Sequence, residues 1–190
     1  MMLMRSLCLR WLPNFITIGR LVLTPAAIDM IVAENWRAAF AIFVIAGASD
    51  ALDGWLAKTF DLRTELGAVL DPVADKALIV SIYATLAIKG VLPAWLALLV
   101  ISRDVMIVGA VFVTWLLRRP MDLRPLPVSK ATTATQLLLA AITLAGEAFA
   151  TPLAGVTTLV VGVVAALTVA SAAVYLLRWV KLMGPDDVGG

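Results

Sequence analysis

The sequence predicts an all-α integral membrane protein with six transmembrane helices and both termini in the cytoplasm, and three observations carry that prediction. Apolar residues make up 62% of the 190 positions, and the mean hydropathy of +1.00 exceeds what the core of a soluble domain requires. Apolar stretches of about 20 residues, enough to cross a bilayer, recur along the chain and are separated by short segments rich in proline, glycine or charge. Basic residues outside those stretches are unevenly divided. Ten of the fifteen Lys and Arg (Arg5, Arg10, Lys58, Arg63, Arg118, Arg119, Arg124, Lys130, Arg178, Lys181) fall on one side, and Arg37 and Lys89 on the other. The excess marks the cytoplasmic face.

Taken in order, residues 1–12 mix Arg5 and Arg10 with Leu, Met and Trp11, a pattern for an interfacial amphipathic segment. A cleaved signal peptide fits less well, because Arg10 interrupts the apolar run. The spans are expected at about 14–33, 38–57, 67–88, 94–117, 128–148 and 153–180, within one domain covering 1–190. Glu34-Asn35-Trp36-Arg37, Lys89-Gly90 with Pro93, and the basic loop with Pro120, Pro125 and Pro127 separate them, since proline and these polar clusters interrupt helices. Residues 184–190 read as a disordered tail. Gly155, Gly162, Ala166 and Ala170 in the last span allow close helix contact. Packing within the monomer and dimerisation both account for them; a homodimer is the expected assembly.

The informative stretch is 50–75. Asp50, Asp53, Asp71 and Asp75 stand inside nearly continuous apolar sequence, and each carboxylate costs roughly 2.5–3.5 kcal/mol at a bilayer centre. No matching set of cations lies nearby in sequence, so a bound divalent metal is the simplest compensator. Asp50, Asp53, Gly54 and Ala57 share one helix face, and Gly67, Asp71 and Asp75 recur every four residues. Two helices meeting along these faces bring the carboxylates together. Such oxygen ligands suit Mg²⁺, Mn²⁺ or Ca²⁺ rather than zinc. The small residues Gly54, Ala57 and Gly67 leave room for a flat or phosphorylated ligand. Histidine is absent and Cys8 is the single cysteine. A Ser-His-Asp triad, a histidine base, a cysteine zinc site and an intrachain disulfide are therefore excluded.

Other ionisable residues interrupt the spans as well. Arg20 has two readings, facing the bundle interior or snorkelling to the headgroups. Lys76 either meets a phosphate or neutralises a carboxylate. Arg103 and Asp104 form a pair near the middle of the fourth span.

These residues are similar to a known signature. The pattern D-x2-D-G-x2-A-R-x8-G-x3-D-x3-D of the CDP-alcohol phosphatidyltransferase family is matched by Asp50, Asp53, Gly54, Ala57, Gly67, Asp71 and Asp75, with Lys58 where the family usually has Arg. Singly, Asp71-Pro72 also reads as the N-cap and first turn of a helix, and Asp50 and Asp53 as solvated loop residues; the set at fixed spacing favours the signature. Pro13-Asn14, Thr17, Arg20 and Pro25 resemble the opening segment of phosphatidylglycerophosphate and cardiolipin synthases.

The resemblance implies displacement of CMP from CDP-diacylglycerol by an alcohol, aided by Mg²⁺ or Mn²⁺ in a two-metal site. It implies Asp50, Asp53, Asp71 and Asp75 as metal ligands, and Asp75 as the catalytic base. Asp50, Asp53, Gly54, Ala57, Lys58 and Gly67 would hold the CDP moiety. Lys58 lacks the planar fork of the usual Arg.

Ser102-Arg103-Asp104-Val105 and Ser129-Lys130-Ala131-Thr132-Thr133 through Gln136 resemble the cardiolipin synthase branch, whose acceptor is phosphatidylglycerol. The phosphatidylglycerophosphate synthases, whose acceptor is glycerol-3-phosphate, tend to carry a second lysine at the position of Thr132. A diester of charge −1 needs fewer cations than a phosphomonoester near −2, and Arg103, Lys130 and Arg20 are the expected contacts to the acceptor phosphate. The remaining partners are membrane lipids, with no nucleic acid. The expected location is the bacterial inner membrane, with the site on its cytoplasmic side. An ion or metal transporter is the rival reading, since intramembrane carboxylates also line transport paths. Transporters commonly build such sites at the midplane from two related repeats, and no second copy of the acidic cluster is present.

The orientation is directly testable. A reporter fused after Gly190 is expected to be active only in the cytoplasm; activity of the same fusion on the opposite side would reverse the topology.

Overall fold

Among the described residues six helices account for the regular backbone: α1 (Met2–Val32), α2 (Trp36–Thr59), α3 (Glu65–Ile88), α4 (Ala94–Leu116), α5 (Pro127–Phe149) and α6 (Ala154–Met183). The structure is a computed structural model. It describes the backbone of residues 2–59, 65–116, 127–151 and 153–183, and the side chains of 17–50, 74, 76–110, 113, 127–151 and 153–180. Among the described residues there is no strand. The expected tail at 184–190 and the basic loop at 117–126 lie outside the described residues.

The helices match the expected spans except where the sequence reading broke or shortened them. The predicted interfacial segment is not separate, because α1 runs unbroken from Met2 through Pro13 and Pro25 to Val32. Leu, Met and Arg before Pro13 are good helix formers, and intramembrane helices tolerate proline where other groups satisfy the backbone. Helix α3 begins six residues before Asp71, so Asp71-Pro72 lies inside the helix and the N-cap reading fails. Helix α2 likewise continues through Asp50 and Asp53 to Thr59, which removes the solvated-loop reading.

The ends of α1, α3 and α5 share one physical solution. Asn35 N–H donates to Met30 O (2.9 Å) and Glu34 N–H to Ile31 O (3.1 Å) after α1. Val91 and Gly90 bond Leu86 and Ala87 in the same way after α3, and Thr151 and Ala150 bond Gly146 and Glu147 after α5. This is the Schellman pattern, which satisfies carbonyls left over at a helix end and puts the residue after the helix in the left-handed region. Gly90 takes φ +73° without strain, whereas Glu34 (58°) and Ala150 (50°) adopt it with a Cβ. Asn35 then caps α2, its Oδ1 accepting from Ala38 N–H at 3.3 Å. Lys89 Nζ meets Glu34 Oε1 at 2.9 Å, and its hydrogen bond, helped by its charge, holds the Glu34 carboxyl below the usual value. That small contribution is present at neutral pH and is lost as pH falls through the folded pKa.

The chain divides into two compact units. The first contains α1, α2, α3 and the end of α5 from Ala140, with α1 packed on both α2 and α3. Its core is lined by Ala27 and Ile31 of α1, Ala39, Phe43 and Ala46 of α2, and Leu78, Ile82, Tyr83 and Leu86 of α3. Arg37 Nε donates to the carbonyl of Ala148 at 3.3 Å. Beside it Phe40 meets Phe149 edge to face, ring centres 5.8 Å apart, so the start of α2 grips the end of α5.

The second unit contains α4, α5 up to Leu139, and α6. Helix α6 buries Val161, Val164, Thr168 and Ser171, a stripe of spacing three, four, three. Gly155, Gly162, Ala166 and Ala170 are all exposed, and a Cβ on either glycine would meet nothing within 4 Å. Among the described residues, then, the second unit does not bury these small side chains.

Outward faces are apolar in both units, with Val22, Ile88, Leu98, Leu159 and Leu177 each at least 65% exposed. Such continuous apolar exposure suits lipid, not water. Among the described residues Pro127–Phe149 and Ala154–Val180 are long and apolar enough to cross a membrane on their own. The strained turn offers a test. Replacing Ala150 by glycine removes the left-handed penalty, and we expect about 0.5–1 kcal/mol of added stability, read as a raised unfolding midpoint in detergent.

Candidate active site

The first unit holds the beginning of the acidic cluster. On α1 the buried positions are Thr17, Arg20, Thr24, Ala27 and Ile31, a spacing of three and four that keeps one face turned inward. Arg20 is part of that face and only 1% exposed, so it faces the interior rather than snorkelling. The Thr24 hydroxyl donates to the Arg20 carbonyl at 3.0 Å.

On α2 the buried line Ala39, Phe43, Ala46 continues by the same spacing to Asp50, and by helical register to positions 53 and 57. Arg20 Nη2 lies 2.7 Å from Asp50 Oδ1, and the Asp50 side chain is 47% exposed. On α3 the buried line Leu78, Ile82, Thr85 extends backward by register to positions 75 and 71. The side chains of Asp53, Gly54, Ala57, Lys58, Gly67, Asp71 and Asp75 lie outside the described residues. Among the described residues no group of three or more potential metal ligands is assembled. The donor set that the sequence supplies, carboxylate oxygens without histidine or thiolate, fits a hard divalent cation. Asp50 is half open, with Oδ1 on the Arg20 guanidinium.

The second unit holds a polar cluster that is fully inside. Arg103 and Asp104 are each 3% exposed, with Nη1 to Oδ1 at 2.7 Å. Arg103 Nη2 donates to Ser129 Oγ of α5 at 2.6 Å and to Ser171 Oγ of α6 at 2.7 Å, while Nε reaches Ser171 at 3.3 Å. One guanidinium thus joins three helices. The Thr132 hydroxyl, fully buried, shares its one proton between Val128 O (2.8 Å) and Leu167 O of α6 (3.2 Å). Gln136 Nε2 reaches Thr168 Oγ1 at 3.5 Å. Lys130, at the start of α5, is exposed.

Arg20 and Asp50 are therefore brought together, as are Arg103, Asp104 and Ser129. The sequence reading did not anticipate the Arg20–Asp50 pair, or Ser171 as the partner of Arg103. The available signal was periodicity, since Thr168 and Ser171 continue the buried line Val161, Val164. Thr132 had been weighed only as a position where a charge could appear; its hydroxyl instead ties α5 to the backbone of α6.

With this geometry in view, kinship can be assigned. The family model for CDP-alcohol phosphatidyltransferase matches residues 10–180, and the chain belongs to that family. Members of the family use divalent metals generally.

Among relatives, the human "Cardiolipin synthase (CMP-forming)" is 35% identical over 154 residues, covering 73% of this chain and 51% of that protein. The rice "CDP-diacylglycerol--glycerol-3-phosphate 3-phosphatidyltransferase 1, chloroplastic" is 34% identical over 186 residues, 88% of this chain and 56% of that one. A "Putative cardiolipin synthase" of Mycobacterium tuberculosis is 32% identical over 106 residues, 54% of this chain and 50% of that one. The chain spans about half the length of these relatives. The family is one of enzymes, which favours group transfer over the transport reading.

The buried pair predicts a non-additive result. Arg103→Met strands the Asp104 carboxylate and should cost about 3–5 kcal/mol. Adding Asp104→Leu should recover most of that loss, because both charges then leave together. Denaturant titration in mixed micelles measures both; equal losses in single and double variants would contradict the pairing.

Proposed function

We propose that the chain transfers a phosphatidyl group from CDP-diacylglycerol to phosphatidylglycerol, forming cardiolipin and releasing CMP. The observation that carries this reading is the continuity of α2 through residues 50 and 53 and of α3 through 71 and 75. Helical spacing supports the reading, since positions 50 and 53 of α2 and 71 and 75 of α3 are in register with residues buried further along each helix.

In this reading Asp50, Asp53, Asp71 and Asp75 hold two Mg²⁺ or Mn²⁺ ions. When bound, the metal neutralises the pyrophosphate and stabilises both the attacking and the leaving oxygen. Asp50 and Asp53 also orient the nucleotide, and Gly54, Ala57 and Gly67 leave space for the cytidine. Lys58 meets a phosphate or the ribose with a single ammonium. Asp75 takes the proton of the acceptor hydroxyl as its oxygen attacks the phosphatidyl phosphorus. The bond from that phosphorus to the bridging oxygen breaks, and CMP leaves with that oxygen.

The acceptor phosphate is assigned on the ground of charge to Lys130, which is exposed; Arg103 and Arg20, the other expected contacts, are buried against Asp104 and Asp50. A diester at −1 is matched by fewer cations than a phosphomonoester, and the human relative bears the name of a cardiolipin synthase. Glycerol-3-phosphate is the second reading, favoured by the rice relative, whose similarity extends over 88% of this chain.

The enzyme is read as spanning the membrane six times, with the carboxylate ends of α2 and α3 on the cytoplasmic side, where soluble CMP departs. The bacterial inner membrane is the location proposed, and the distribution of basic residues supports only the orientation across it. A homodimer is supported by the exposed small residues of α6.

Purified protein given CDP-diacylglycerol, Mg²⁺ or Mn²⁺ and each acceptor in turn is expected to make cardiolipin from phosphatidylglycerol and no product from glycerol-3-phosphate. Asp75→Asn should lower turnover at least about 100-fold, the lower bound for loss of a general base, while nucleotide binding survives. Efficient phosphatidylglycerophosphate formation would move the assignment to the second reading.

A further inference from the structure

We infer that Arg20 is a positioning residue for the metal centre: it fixes Asp50 by one carboxylate oxygen and leaves the other for a divalent cation. The inference rests on the reading of Asp50 as a metal ligand. It starts from an asymmetry in exposure, 1% for the Arg20 side chain against 47% for Asp50. The guanidinium is the anchored partner and the carboxylate the adjustable one. The anchoring comes from α1 itself, since Arg20 belongs to the inward stripe of Thr17, Thr24, Ala27 and Ile31. The separation of 2.7 Å between Nη2 and Oδ1 is that of a close ion pair.

Two physical consequences follow. Separating a buried guanidinium from its carboxylate leaves a charge uncompensated in a poorly polarisable interior. The pair therefore persists when a cation arrives instead of giving way to it. A carboxylate has two oxygens and about four lone-pair directions, so Asp50 can serve Arg20 and a metal together. Groups that hydrogen-bond a ligating carboxylate fix its orientation and tune its affinity, and Arg20 is placed to do this for Asp50. Charge alone predicts the reverse, because a guanidinium beside the site repels a dication and its removal would tighten binding. The sign of the effect separates the two.

The test is Mn²⁺ binding by the full chain in detergent, followed by electron paramagnetic resonance of the free ion, without lipid substrate. Arg20→Gln should weaken binding about 10–100-fold, the range for loss of such a supporting contact, with Arg20→Lys between it and the wild type. Binding by Arg20→Gln as tight as the wild type, or tighter, would overturn the inference. If circular dichroism shows Arg20→Gln unfolded, Arg20→Lys decides: weaker binding than wild type supports positioning, and equal or tighter binding defeats it. Asp50→Asn serves as the control on the underlying reading. Undiminished binding there removes Asp50 from the metal site and the inference with it. Loss of binding in Asp50→Asn with none in Arg20→Gln removes the inference alone.

Discussion

A charge inside an apolar helix bundle has to find its counter-charge within the protein, and the described polar architecture follows from that constraint. Water compensates an exposed ion cheaply; hydrocarbon does not compensate it at all. Arg20 answers with Asp50 at 2.7 Å, and Arg103 answers with Asp104 at 2.7 Å. The solutions differ in closure. Arg103 is tied by Asp104, Ser129 and Ser171, and both members of the ion pair are buried. In the Arg20 pair the cation is buried but the anion is half open. A pair closed on both sides is a structural clasp, while one open on the anionic side still has an oxygen to offer.

Helix ends obey the same constraint on the backbone. Carbonyls left over at the ends of α1, α3 and α5 are satisfied locally by one recurrent turn, although two of its three left-handed positions are held by Glu34 and Ala150 instead of glycine. That the turn forms with a Cβ present, at the exposed residues Glu34 and Ala150, indicates that the two carbonyls it satisfies offset the cost of the left-handed backbone. Arg37, donating to Ala148 O, satisfies another end carbonyl of α5 and fastens α2 to it.

Much of this was legible beforehand, and the reasons are physical. Apolar runs of bilayer length and the punctuation between them set the helices to within a few residues. The resemblance to the family signature at Asp50, Asp53, Gly54, Ala57, Gly67, Asp71 and Asp75 pointed to the family that the family model matches. What escaped was pairing across helices. Nothing in the local sequence of Arg20 names Asp50 as its partner thirty positions away, and nothing near Arg103 names Ser171, sixty-eight positions on. Periodicity places residues on a face; only packing decides which faces meet. The unbroken α1 was missed because residues 1–12 read as a separate interfacial segment, whereas α3 starts at Glu65, two residues before the expected Gly67. Intramembrane helices carry proline internally where other groups complete the hydrogen bonding.

Thr132 shows how this limits arguments from single residues. By charge counting, a lysine there would appear to suit a more anionic acceptor. The threonine is fully buried and its hydroxyl shares its one proton between the backbones of α5 and α6. A lysine in its place would lose the bond to Leu167 and bring four methylenes and an ammonium into a packed interface. The ammonium would need a counter-ion or an exit route that the threonine does not require. Discrimination between acceptors through this position is then a property of how α5 and α6 pack, and a charge can be added only together with the space and partner that keep it compensated.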